Sequence, residues 1–146
     1  MINYQSEVIV NRPVEQVYKL ATDVTRLDDW TEMTGTHLIS GDKVKVGSQL
    51  ETTVKMGPIK PTMIFEVTAL EENRHFGIKK VSKGAMEWEA DYTLEPQGPS
   101  STRLIHSGQI RLNGLLKLFE PLMAGEAKSA PAKELVKFKE LVEGQN

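Results

Sequence analysis

The sequence contains no cysteine, which excludes a disulfide framework, thiol catalysis and thiolate metal ligation and fits a reducing compartment. It also lacks any apolar run approaching the ~20 residues of a membrane span. Its start, Met1 to Glu7, has neither the basic nor the apolar region of a secretory leader. A cytoplasmic protein with no integral membrane segment is therefore expected. Strong charge of one sign is missing too. A formal net charge of −2 over 146 residues leaves no broad basic footprint, so no nucleic-acid partner is expected. The three histidines, His37, His75 and His106, are widely scattered, and no His-Glu-x-x-His helix occurs. No metal site is expected from them. Nor is there a phosphate-cradling glycine loop, a dinucleotide fingerprint or a nucleophile elbow, so the expected cofactor is none. Without repeats or low-complexity tracts, the chain reads as one domain, residues 1–146.

What is present is a clear change of period. Asn3 to Val10 reads as a strand ending in Val8-Ile9-Val10. Pro13, harmless at the first position of a helix, precedes Val14, Val17, Tyr18 and Ala21 at helical spacing. Asp23 is placed to cap a second short helix through Val24, Leu27 and Trp30. From Met33 the period becomes two. Leu50, Thr52, Val54 and Met56 share a face up to a turn at Gly57-Pro58, and Met63, Phe65, Val67 and Ala69 share the next. Arg74 to Val81 forms a shorter strand. Met86, Trp88, Ala90, Tyr92 and Leu94 alternate with Glu87, Glu89, Asp91, Thr93 and Glu95, giving one dry face and one row of solvated carboxylates. In the last strand, Thr102 to Leu112, His106 and Gly108 fall on the inward face. Lys79, Lys80 and Lys83 read as a solvated hairpin, and His37 and His75, at strand ends, as solvated.

The final segment is helical. Leu115, Leu118, Phe119, Leu122 and Met123 form one stripe at 3.6-residue spacing, expected to face something apolar. The stripe then thins through Ala124, Gly125, Ala127 and Ala130 to Pro131 and resumes with Leu135, Phe138, Leu141 and Val142. Proline inside a helix removes one backbone hydrogen bond and clashes with the preceding turn. The spacing therefore predicts one helix from about Asn113 to Gly125 and a second beginning near Pro131, capped by Ser129, with a kink or hinge between them. Short turns between six successive strands make an antiparallel meander. A twisted sheet of about seven strands curls, and its apolar face needs the C-terminal helix as cover.

The run from Val8 to Tyr18, Val-Ile-Val-Asn-Arg-Pro-Val-Glu-Gln-Val-Tyr, with Asp23 and with Leu27-Asp28-Asp29-Trp30, resembles the opening signature of the START-like, or SRPBCC, superfamily. That group includes the polyketide cyclase/dehydrase-like proteins. Glu134 to Glu143 resembles its closing helical turns, and the likeness spans essentially the whole chain. It implies an α+β helix-grip fold: a curved seven-stranded antiparallel sheet, two short helices and a long C-terminal helix enclosing a cavity. Gly125 and Pro131 stand where that helix is usually continuous.

The expected site is the gap left where the helix carries small residues. Its lining is expected to include Trp30, Met63, Phe65, Met86, Trp88, Tyr92, His106, Phe119, Leu122 and Met123, of which the aromatic residues are core as well as wall. An apolar pocket with a few polar groups is the usual form of a small-molecule site. The first expectation is a non-catalytic binder of an apolar or aromatic small molecule, lipid-like or polyketide-like. A second is a polyketide aromatase/cyclase or dehydrase in which His106 and Tyr92 supply acid and base, an imidazole ordinarily titrating near neutral pH. The simpler reading of His106 is a half-buried histidine bonded to a neighbouring hydroxyl or backbone group. A third expectation, without a matching exposed motif, is a co-chaperone-like interaction module.

Overall fold

The computed structural model describes residues 1–56 and 58–145. Strand β1 (Ile2–Val10) leads through Pro13 into helix α1 (Val14–Ala21) and a 3-10 helix (Val24–Asp29). The Asp23 carboxylate accepts from the backbone N–H of Thr25 at 3.0 Å, the expected cap. Val24, Leu27 and Trp30 repeat every three residues, which is the 3-10 period, and that is the helix they form. Six strands follow: β2 (Met33–Leu38), β3 (Gln49–Val54), β4 (Thr62–Glu71), β5 (His75–Lys80), β6 (Met86–Pro96) and β7 (Thr102–Leu112). They form one antiparallel sheet in the order β1-β7-β6-β5-β4-β3-β2. The meander therefore runs from β2 to β7, and β1 closes against β7 in continuous register from Ile2 opposite Ile110 to Val10 opposite Thr102. The turn expected at Gly57-Pro58 lies partly outside the described residues, at Gly57. Beside it Met56 and Ile59 pair in an isolated bridge.

A second 3-10 helix (Gly114–Phe119) and helix α2 (Glu120–Glu143) complete the chain. Helix α2 lies chiefly along β1 and is tied to that strand at both ends. Glu120 pairs with the Met1 amino group. At the other end Lys139 donates to the Ile9 carbonyl at 2.7 Å, and the Asn11 N–H donates to Glu143 at 2.8 Å. Leu135, Phe138 and Val142 are buried beneath the helix. The Phe138 ring meets Trp30 edge-on at 4.9 Å between centroids, and Trp30 meets Tyr92 edge-on at 5.6 Å. A long helix gripped by a curved seven-stranded sheet is the helix-grip arrangement of the α+β class, as expected.

Three local expectations are corrected. The first concerns the stripe from Leu115 to Leu122, whose members stand largely in solvent, with Leu115 81% and Leu122 79% exposed. Gly114, at φ 61°, turns the chain out of β7 into a 3-10 helix. At three residues per turn a 3.6-residue stripe cannot stay on one face. Leu116, off the stripe, packs on the core, and of the stripe itself Met123, at its end, does so. The second is the break at residues 125 to 131: α2 is helical without interruption from Glu120 to Glu143, Pro131 included. Ser129 caps no second helix, and its hydroxyl donates to the Glu126 carbonyl at 3.3 Å. Pro131 is buried in the same stripe as Leu135 and Phe138, so packing offsets the missing hydrogen bond. The change of helix type falls at Phe119/Glu120 instead, and a gate built on a break near Pro131 has no break to rest on. The third is His75, which is half-buried, its Nε2 2.7 Å from the Asp91 carboxylate.

The outer row of carboxylates is cross-linked along its length. Glu87 faces Arg111, Glu89 faces Lys79 at 3.6 Å, Asp91 faces His75, and Glu95 accepts from Arg103 at 3.0 Å. Exposed pairs of this kind contribute little each, and they leave the chemistry to the inner face.

Candidate functional site

Between the concave face of the sheet and α2 lies a cavity of about 470 Å³. Ala127 and Ala130 of α2 stand on its wall, where short side chains leave space against the curved sheet. Of the residues expected to line it, Phe65 of β4, Trp88 and Tyr92 of β6, His106 of β7, Phe119 at the end of the second 3-10 helix, and Leu122 and Met123 at the start of α2 do so. Trp30, Met63 and Met86 do not. They are buried elsewhere in the core, at 0%, 3% and 7% exposure. Trp30 is held between Tyr92 and Phe138 and packs the core on the side where the helix grips. Phe119 and Leu122 line the cavity and are 51% and 79% exposed, so they form the rim of an open mouth.

The polar groups collect around a residue the sequence pattern did not single out, Tyr4. The Trp88 indole N–H donates to its hydroxyl at 2.9 Å, and His106 Nε2 lies 3.5 Å from the same oxygen. His106 stacks on Tyr92, with centroids 4.1 Å apart and an interplanar angle of 18°. Among the described residues its Nδ1 has no partner. Burial pushes the imidazole pKa down to about 3. His106 is therefore neutral near neutral pH; it is buried rather than half-buried, and the hydroxyl beside it is that of Tyr4. Burial raises the phenols of Tyr4 and Tyr92, and the Glu134 carboxyl raises both further.

Glu134, on α2, is the second residue missed. It lines the cavity together with Ala127, Ala130 and Pro131. Desolvation first, and the nearby Glu32 carboxylate second, raise its pKa to about 8 against the opposing charge of Lys137. A signal for both residues was present. Period two puts Tyr4 on the face of Ile2, and helical spacing puts Glu134 on the stripe of Pro131 and Phe138, where it is the lone charge. Among the described residues no group of histidine, aspartate and glutamate side chains comes together as metal ligands would, and no helix is long and apolar enough to cross a membrane.

Room for Tyr4 is made across the sheet. Gly108 is its cross-strand partner on β7, and a Cβ there would collide with the Tyr4 hydroxyl and Cζ and sit 2.8 Å from the Glu89 carbonyl oxygen. The absent side chain is thus the floor on which the phenol lies. Gly108→Ala is expected to lose roughly 1–3 kcal/mol, as overpacked sites do, and to change the Trp88 environment. Urea unfolding and tryptophan emission check this; unchanged values for both would mean that the ring does not lie there.

Solved structures of several other proteins share this arrangement of sheet and helix. They include a Thermus thermophilus protein with a TM-score of 0.81 at 18% identity, covering 97% of each chain. A START superfamily protein from Mycobacterium smegmatis has a TM-score of 0.77 at 21% identity, also over 97% of each chain. Norcoclaurine synthase from Thalictrum flavum, in complex with dopamine and hydroxybenzaldehyde, has a TM-score of 0.72 at 14% identity, over 99% of this chain and 88% of that one. At such identities the likeness is one of fold. No curated protein matches the chain in sequence. Residues 1–143 match the profile of the family described as polyketide cyclase / dehydrase and lipid transport. The profile covers nearly the whole chain and the same residues that form the shared fold, and the chain belongs to this polyketide cyclase / dehydrase and lipid transport family.

Proposed function

We propose that this protein binds an apolar or aromatic small molecule, lipid-like or polyketide-like, in the cavity between its sheet and α2. The observation that carries the reading is the cavity itself: about 470 Å³, predominantly apolar, with Tyr4, His106 and Glu134 as polar points on its wall. That volume and that mixture are those of a small-molecule site. The exposed Phe119 and Leu122 on the cavity's rim support entry of an apolar compound.

Trp88 offers the test, since it lines the cavity while the other tryptophan, Trp30, is fully buried in the core. A naphthalene compound titrated into the protein is expected to change Trp88 emission and to appear as a one-to-one complex by native mass spectrometry. Trp88→Ala is expected to weaken that binding roughly tenfold, the scale of one aromatic contact. A protein that stays empty and optically unchanged would sink the proposal.

The cyclase or dehydrase reading has one observation in its favour, the convergence of Tyr4, Tyr92 and His106 on one cavity. The norcoclaurine synthase neighbour and the family description point the same way. An imidazole held neutral serves that chemistry as a hydrogen-bonding group rather than as a base of near-neutral pKa. Turnover of a polyketide thioester that survives His106→Gln unchanged would remove His106 from it.

A further inference from the structure

We propose that Tyr4 and Glu134 form a hydrogen-bond donor site for an acceptor oxygen, a carbonyl above all, of the molecule held in the cavity. The inference rests on the binding reading above and names the chemistry of what is bound. Tyr4 comes from the sheet and Glu134 from the helix, and both line the same space. The Tyr4 oxygen already accepts the Trp88 N–H at 2.9 Å, so the phenol has its O–H left to offer. Among the described residues the phenol's other hydrogen-bonding contact is His106 Nε2, 3.5 Å away, at the limit of a hydrogen bond.

Glu134 stands in a wall of Ala127, Ala130 and Pro131, and among the described residues it forms no ion pair. Part-buried there and beside the Glu32 carboxylate, the carboxyl keeps its proton below its pKa of about 8. It then donates rather than attracts a cation. Tyr92 brings a further phenol to the cavity. Hydroxyl donors on facing elements of a mostly apolar pocket select a ligand whose polar group accepts, because an unmatched donor there is costly. An ammonium ligand would need the carboxylate form and would leave the phenol protons unmatched.

Three probes on one carbon skeleton separate these chemistries: 2-acetylnaphthalene, 2-ethylnaphthalene and 1-(2-naphthyl)ethylamine, titrated by calorimetry against the full chain. At about pH 6.5 the ketone is expected to bind about tenfold tighter than the hydrocarbon. Its affinity is expected to fall about fivefold by about pH 9 as Glu134 ionises. The ionisable groups facing Glu134 are Tyr4 of β1, Tyr92 of β6, His106 of β7, Glu32 before β2, Lys55 after β3, and Glu126 and Lys137 of α2. Burial has moved both phenols up and the imidazole down to about 3, so none of these three titrates in that window.

Glu134→Gln retains a donor and is expected to keep ketone binding while losing its pH dependence. Tyr4→Phe is expected to narrow the ketone-to-hydrocarbon ratio to about twofold. Equal affinity for ketone and hydrocarbon, or tighter binding of the amine, would overturn the donor site and leave the binding reading standing. Failure of all three probes to bind would overturn the binding reading and the inference with it.

Discussion

Urea titrations across pH are expected to show stability on a plateau between about pH 4.5 and about pH 6.5 and falling on either side, with Glu134→Gln removing the alkaline fall and His106→Gln flattening the acid one. Glu134 has a folded pKa raised from 4.5 to about 8. Below 4.5 both states hold its proton; between 4.5 and 8 only the folded state does, so each rise in pH favours unfolding. Its contribution is fully present below 4.5 and lost by about 8. His106 has a folded pKa lowered from 6.5 to about 3. Its contribution is fully present above 6.5 and is lost as pH falls toward 3, because only the unfolded state takes the proton. The two slopes oppose between 4.5 and 6.5 and cancel there.

At ~1.4 kcal/mol per pKa unit, each limb beyond the plateau is worth on the order of 2 kcal/mol. Exposed Glu7 and half-buried Glu143, whose pKa values are lowered chiefly by hydrogen bonds from Arg103 and from the Asn11 N–H, lose their partners' help on acidification and steepen the acid limb without changing its direction. The amide of Glu134→Gln has its own desolvation penalty at every pH, so the slope rather than the offset is diagnostic. An alkaline limb unchanged by Glu134→Gln would show that the carboxyl is not held neutral in the fold.

Phe138→Ala is expected to destabilise the protein by roughly 3–5 kcal/mol, the range for a fully buried aromatic truncated in a packed core. Phe138 has no exposed surface and meets Trp30 at 4.9 Å. Trp30 meets Tyr92 in turn, so the lost ring opens a void between the helix and the sheet. Leu122→Ala, in the first turn of the same α2, is the control: at 79% exposure it is expected to change stability by less than about 0.5 kcal/mol. The contrast locates the grip in the last turns of α2, where Leu135, Phe138 and Val142 are buried, and leaves the first turns as the rim of the mouth. Equal effects of the two substitutions would mean that the helix is held evenly along its length. Hydrogen exchange offers a second measurement, with protection expected to be higher around Phe138 than around Leu122.

Much of this fold was legible because strands declare themselves by alternation. The row Met86, Trp88, Ala90, Tyr92 and Leu94 predicts its own inward face, and the register opposite β7 brings His106 beside Tyr92 as regular pairing requires. The short helices were legible from Pro13 and Asp23. The start of the last helix was not, because a stripe of Leu115, Leu118, Phe119 and Leu122 fits a 3.6-residue period only if the backbone is α-helical. The backbone after Gly114 is 3-10. Pro131 misled for a related reason: its local cost is real, yet burial against the core outweighs it, and burial is not a property of the local sequence.

The candidate site divides in the same way. Apolar wall residues follow from alternation, whereas Trp30, Met63 and Met86 carry the same inward pattern and still miss the cavity, because separation between helix and sheet decides which inward side chains face space. Tyr4 is assigned to β1 by pattern, but its partnership with Trp88 and His106 needs the pairing of the first strand with the last, about a hundred residues away. Neighbours along the chain were enough to set the period of each strand, the caps of the short helices and the family likeness. Where α2 is gripped, how Gly108 makes room for a phenol, and that Glu134 lies against a mostly apolar cavity were set by the folded arrangement alone. Those features depend on distances between elements and on the water they exclude, and no local pattern encodes either.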